Sequence, residues 1–194
     1  MRVVVIGASG VIGGAVADAL QARHEVVRAS RRGDPRVDLG DPSSVAALFA
    51  SVPDVDAVVC CAANAPLNAL TALSDEEFRR SIHGKLFGQI DVIRQAVEHV
   101  RDGGSITVTA GAIPDGLEGA AGGALVNAGL KAFVRAVAPE LPRGIRVNAV
   151  SPGWVRESLE KLGMDGAAGT PVADVARAYV SAVEGTARGE TLRP

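Results

Sequence analysis

The stretch "VVVIGASGVIGGAVADAL", Val3 to Leu20, decides how the rest of the chain is read. Val3 to Ile6 form an unbroken apolar run, which suits a strand covered on both faces. A glycine turn follows, and from Val11 the apolar residues recur at helical spacing. Gly7, Gly10 and Gly13 have GxxGxxG spacing, with Ser9 and Ile12 between them. A glycine turn alone is weak evidence, because ordinary strand-to-helix turns also use glycine. Placed between a first strand and a first helix it says more. Backbone amides and the helix dipole there can hold a pyrophosphate, and side chains at Gly10 or Gly13 would block its approach. Dinucleotide binding is the expectation.

Working outward, short β-like runs alternate with helical patterns to the end of the chain. Strands are expected at Arg2–Ile6, Glu25–Ala29, Ala57–Cys61, Ser105–Val108 and Arg146–Val150. Helices are expected at Val11–Ala22, Pro42–Ser51, Asp75–Val100, Ala124–Leu141 and Val172–Glu184. Asp41-Pro42 reads as a helix start, and Ser74 with Glu77 as a capping box. Gly103-Gly104 marks a turn into the fourth strand. The alternation implies an α/β doubly wound Rossmann fold, a parallel sheet with helices on both faces. No linker or repeat divides residues 1–194, so one domain is expected.

Composition narrows the function classes. Apolar residues make up 47% and charged residues 22%, the balance of a soluble globular protein. The net charge is −2 and the only basic cluster is Arg31-Arg32, which argues against nucleic acid as a partner. No apolar run reaches membrane-spanning length. Met1-Arg2 leads directly into the first strand, so no signal peptide is read and a cytoplasmic location is expected. Cys60 and Cys61 are adjacent, point to opposite faces if on a strand, and read as small buried hydrophobes. No His/Cys/Asp grouping has metal-ligand spacing.

The end of the second strand selects the dinucleotide. An NAD site presents an acidic residue about 20 residues beyond the glycines, to bind the ribose diol. Here the segment is "ASRRGD", with Ser30, Arg31 and Arg32. A carboxylate would repel a 2′-phosphate, whereas a guanidinium pairs with it. Arg31 is the first candidate, with Ser30 or Arg32 assisting. The alternative is a solvated basic turn. NADP(H) is therefore favoured over NAD.

Four segments, the glycine turn among them, make the chain resemble the short-chain dehydrogenase/reductase family over nearly its whole length. They are "GASGVIG", "VDLGDPSSV" (Val37–Val45), "DAVVCCAANAPL" (Asp56–Leu67) and "ELPRGIRVNAVSPGWV" (Glu140–Val155). The resemblance implies adenine contacts at Asp38 and Leu39. It places Pro152 and Gly153 in the family's Asn-x-x-x-Pro-Gly segment with Asn148, and Trp154 and Val155 at the nicotinamide carboxamide. The family's Asn-Asn-Ala-Gly run becomes Cys60-Cys61-Ala62-Ala63, so Cys61, Ala62 and Ala63 are candidate cofactor contacts. The family's Asn-Ser-Tyr-Lys tetrad is replaced. Its Tyr position aligns with Gly123, its Lys with Asn127, its Asn with Lys85, and its Ser with Ala110, or with Gly111 if the loop shifts by one.

Reduction of a carbonyl needs a proton or hydrogen-bond donor at the developing alkoxide. Lys85 is one candidate, through its charge or as an acid; the alternative is an exposed lysine on a long helix. Asn127, polar on a face of small residues, is a candidate to bond the ribose in place of the lost lysine. Thr109, at the end of the fourth strand, is a candidate to hold a substrate; the alternative is an ordinary strand threonine. Asp115 and Glu118 could be acids but read more readily as solvated loop charges; His24 and His99 read as surface residues, and His83, two residues before Lys85 on a helix, points differently from it. Tyr179 lies far along the chain from the tetrad. By resemblance, Arg156–Thr170 forms a short substrate lid, and the helices at Asp75 and Ala124 pair in a homo-oligomer, a dimer or tetramer. The expected function is an NADP(H)-dependent oxidoreductase for a carbonyl or alcohol of unknown identity, with a non-standard proton donor. Two alternatives stay open: a non-catalytic NADP(H)-binding sensor or partner subunit, and a non-redox enzyme on the same fold.

Overall fold

The computed structural model describes residues 1–62 and 68–194, Ser81 by its backbone alone. The opening stretch folds as β1 (Arg2–Ile6), the glycine turn, and α1 (Val11–Gln21). There follow β2 (Glu25–Ala29), α2 (Pro42–Ser51), β3 (Val55–Cys60), α3 (Asp75–Ile82), a π-helical turn (His83–Phe87) and α4 (Gly88–His99). The chain continues through β4 (Val100–Thr109), α5 (Ala121–Val137), β5 (Arg146–Val150), α6 (Arg156–Lys161), α7 (Val172–Glu184) and β6 (Thr191–Leu192). The strands form one parallel sheet in the order β2-β1-β3-β4-β5-β6. From β1 the chain moves outward to β2, then returns to place β3 on the other side of β1. A reversal of this kind opens a crevice at the carboxyl ends of the strands.

Each face of the sheet has its own core. Val4, Ile6, Val58, Cys60, Ile106 and Val108 face one side, under α2, α4 and α5, with Leu48, Val92 and Leu130. Val3, Val5, Ala57 and Val59 face the other, under α1 and α7, with Val16, Leu20 and Tyr179. The side-chain period of two divides the strands between these layers.

Local signals explain the starts of α2 and α3. Asp41 caps α2 by accepting from the Ser43 amide at 3.0 Å, with Pro42 in the first turn. Ser74 and Glu77 form the reciprocal capping box of α3. Three differences from the sequence reading have physical causes. The long helix expected from Asp75 to Val100 contains the π-helical turn and stops at His99, because β4 starts at Val100. The Gly103-Gly104 pair does not precede the strand but lies within it, where the β3–β4 register shifts between Val55 and Ala57. Gly103 there takes φ +74°. Helix α5 starts three residues earlier than expected and ends at Val137, giving way to a 3-10 turn that contains Pro139. Helix α6 and the two-residue strand β6 were not expected; neither has a long enough apolar pattern to read.

Candidate functional site

The expected cofactor residues gather at the carboxyl ends of the strands. After β1, Gly7 takes φ +86°, and a Cβ there would lie 2.7 Å from the Ala62 amide nitrogen. Only glycine allows the chain to turn this close to the end of β3. Gly10 is the N-cap of α1, is exposed beside Ser9, and is backed by no side-chain cap or first-turn acid. The first-turn amides and the positive end of the helix are thus left for an anion. Gly13 has a different role from the expected one. A Cβ at Gly13 would sit 2.1 Å from the Gly7 carbonyl oxygen, so its space is filled by the chain itself. Gly13 lets α1 press on the turn, and Ile12 packs partly buried on the α1–α7 core.

Past β2, the Ser30 amide donates to the Pro35 carbonyl at 3.3 Å, and its own carbonyl accepts from Val37 at 3.0 Å. These bonds tie off a loop from which Arg31 and Arg32 project, both exposed. None of the ion pairs among the described residues uses either guanidinium. Asp38 Oδ1 accepts from the Gly40 amide at 3.0 Å, which shapes the next turn. Leu39 is buried, with α4 against its backbone: a Cβ on Gly88 would lie 2.7 Å from the Leu39 carbonyl oxygen. The Cys61 amide donates to the Ile6 carbonyl at 2.8 Å, and Ala62 follows beside Gly7. Ala63 lies outside the described residues. After β5, Pro152 is buried and accepts from the Ala112 amide at 2.7 Å, while Gly153 and Trp154 are exposed. Val155 is buried and bridges Thr170, which pins both ends of the α6 segment.

Beyond β4, among the described residues, lies an arrangement suited to acid–base chemistry. Lys85 projects from the π-helical turn and is only 5% exposed. Its ammonium donates to Asn127 Oδ1 at 2.8 Å and to the Ala110 carbonyl at 3.2 Å. Both acceptors are neutral. Burial drives its pKa down to about 8 from the ordinary lysine range. The Cys60 sulfur is the charged form that would oppose this, but burial pushes that thiol up to about 12, so it is neutral near pH 7. Asn127 is buried on α5, one turn past Gly123. A Cβ on Gly111 would lie 2.9 Å from Asn127 Nδ2, so the glycine leaves the amide its place. The structure therefore brings Lys85 and Asn127 together, across two helices and the end of β4.

Thr109 is not part of that pair. Its hydroxyl donates to the Cys60 carbonyl at 2.6 Å and so accepts from the Tyr179 hydroxyl at 2.7 Å. That places it on the α7 side of the sheet, where Tyr179 is fully buried. The substrate-holding role expected of Thr109 gives way to a structural one, because its proton is given to the Cys60 carbonyl and its oxygen is turned to Tyr179 in the α7-side core, away from Lys85. Burial also holds the Tyr179 phenol well above its usual pKa, and Asp115 and Glu118 are exposed loop residues.

Sequence reasoning missed Gln89. It is fully buried, its Nε2 donates to the Thr109 carbonyl at 2.9 Å, and its Oε1 accepts from the Thr109 amide at 2.7 Å. The side chain satisfies both backbone groups of the residue before Ala110 and so fixes the carbonyl that Lys85 uses. Its spacing four residues after Lys85, on the same helix face, was the available signal.

Comparison with known proteins follows from this geometry. A family model described as enoyl-(acyl carrier protein) reductase matches residues 7–180. Versicolorin reductase 1 from Aspergillus parasiticus is 29% identical over 140 residues, 64% of this chain and 50% of that protein, so the match spans half of the curated relative's length. The protein lin1944 from Listeria innocua superposes with TM-score 0.94 at 36% identity, covering 100% of this chain and 98% of that one. A small-chain dehydrogenase in complex with NADPH superposes with TM-score 0.89 at 25% identity, covering 100% and 96%.

Proposed function

Because the chain belongs to the short-chain dehydrogenase/reductase family, we propose that it is an NADP(H)-dependent oxidoreductase that reduces a small carbonyl compound, or oxidises the alcohol, with Lys85 as the proton source. The observation that carries this reading is the buried Lys85–Asn127 hydrogen bond at the end of β4. NADPH, when bound, supplies the hydride. The residues present fit that cofactor: an α1 N-terminus at Gly10 without a side-chain cap for the pyrophosphate, and exposed guanidinia at Arg31 and Arg32 for a 2′-phosphate. Asp38 and Leu39 flank the adenine; Cys61, Ala62, Pro152, Gly153, Trp154 and Val155 line the nicotinamide half. An NADPH complex in a protein 25% identical supports the same choice of cofactor.

Lys85 supplies what the missing hydroxyl acid would. Two of its N–H groups are held by Asn127 and Ala110, which leaves the third for a substrate oxygen. Its ammonium stabilises the developing alkoxide and passes a proton to it, becoming a neutral amine that solvent recharges. Asn127, anchored through Oδ1, keeps its amide N–H groups for the ribose. We also propose that the working form is a homo-oligomer joined through the outer faces of α4 and α5. Phe87 and Leu125 are about half exposed there, beside exposed Ala124, Ala128 and Ala132.

Titration of Trp154 fluorescence with NADPH and NADH tests the cofactor assignment. NADPH binds more tightly in the wild type, and Arg31→Ala weakens NADPH by roughly ten- to a hundredfold with little effect on NADH. An NADH preference that survives Arg31→Ala overturns the assignment. NADPH binding with no turnover across a broad carbonyl panel would instead favour a sensor, a partner subunit or a non-redox enzyme.

A further inference from the structure

Lys85 is a buried cation without an anion. It is 5% exposed, and its two partners, Asn127 Oδ1 and the Ala110 carbonyl, are both neutral. Among the described residues no carboxylate pairs with it, and the segment from Ala63 to Leu67 contains no acid. Among the described residues, Cys60 from β3, Ala110 from β4 and Asn127 from α5 act on it; of these only Cys60 can ionise, and burial keeps that thiol neutral. A buried charge is ordinarily paired, because leaving it alone costs several kcal/mol, roughly. Here two neutral acceptors hold two of its three N–H groups at the carboxyl end of β4, the end at which a sheet with this strand reversal forms its ligand crevice. The protein has built the positive half of an ion pair and left out the negative half.

We propose that the negative half belongs to the substrate, which is a short oxo acid: a carbonyl compound whose carboxylate sits beside the carbonyl that is reduced. This rests on the oxidoreductase reading above and names its substrate class. In a 2-oxo or 3-oxo acid the carbonyl oxygen and a carboxylate oxygen can face one cation together. The free N–H of Lys85 then addresses the carbonyl while its charge neutralises the carboxylate. Reduction adds the hydride from the nicotinamide to the carbonyl carbon and the Lys85 proton to its oxygen. The product is the hydroxy acid, with its carboxylate intact, and NADP+.

The test uses the NADP+-saturated protein, in which an oxo acid binds without turnover. 2-Oxobutanoate and 3-oxobutanoate are each titrated by calorimetry against their primary amides, which keep the shape and lose the charge. At about pH 7 at least one acid binds roughly tenfold or more tightly than its amide. That advantage shrinks as the pH rises through about 8, where Lys85 loses its proton. It is lost in Lys85→Met and Lys85→Gln, and kept in Lys85→Arg, with NADP+ saturation confirming that each variant is folded. Equal binding of acid and amide, an advantage that persists in Lys85→Met, or no binding of either acid to NADP+-saturated protein overturns the proposal. Failure of NADP+ to saturate the wild type overturns the cofactor assignment instead.

Discussion

Lys85 costs the fold stability. Its pKa of about 8 in the native state lies below the ordinary 10.5, so folding disfavours the charged form by about 3 kcal/mol. The sign follows from proton binding. Below the native pKa both states are charged and the full penalty is present; between the two values the unfolded chain binds more protons, so stability rises with pH and the penalty fades. Lys85→Met therefore melts above the wild type at pH 7, and thermal melts show that gain shrinking as the pH approaches 10.5. If Lys85 is the proton source proposed above, the stabilised variant is also the less active one, the trade expected where a costly group is kept for chemistry. Tyr179 gives the opposite result. Its hydroxyl serves Thr109 on the far side of the sheet, so Tyr179→Phe loses about 1 kcal/mol in a denaturant melt and keeps its turnover. Turnover lost with the phenol would move the proton source away from Lys85.

At the scale of elements, the first strand, turn and helix were legible because every level of the sequence agrees there. An unbroken apolar run, a positive-φ glycine and a helical stripe follow in order. The same holds for the α2 and α3 caps, whose side chains make the bonds their spacing implies. Legibility ends where tertiary contact sets the geometry. The π-helical turn that carries Lys85 leaves no periodic trace in "HGKLF", and the Gly104 backbone is shaped by the neighbouring strand: a Cβ there would lie 2.4 Å from the Asp56 carbonyl. Gly13 shows the limit most sharply. Its spacing is that of a phosphate loop, but its neighbour is the Gly7 carbonyl. Gly13→Ala forces α1 away from β1, so it lowers the melting temperature and weakens NADPH binding together. A variant that loses NADPH affinity with an unchanged melting temperature would return Gly13 to direct phosphate contact.

At the scale of the whole molecule, the carboxyl ends of the parallel strands bring together the glycine turn after β1, the Arg31-Arg32 loop after β2, and the Lys85 ammonium held by α5 and β4. The resemblance put Lys85 and Asn127 at two positions of one tetrad, while the hydrogen bond between them was not readable, since they lie on different helices and touch only after the sheet is assembled. Oligomerisation belongs to the same scale. Leu125→Glu places a charge on the exposed face of α5, and sedimentation velocity then shows a shift to monomer if that face is the joint; an unchanged sedimentation coefficient excludes it. The central claim is tested most directly by the pH dependence of NADPH oxidation with the best carbonyl of the panel, in wild type and in Lys85→Met. The wild-type rate should fall as the pH rises through about 8, and Lys85→Met should lose roughly a hundredfold or more in turnover while still binding NADPH. Turnover in Lys85→Met at the wild-type rate, with the same pH profile, would contradict the assignment of Lys85 as the proton source.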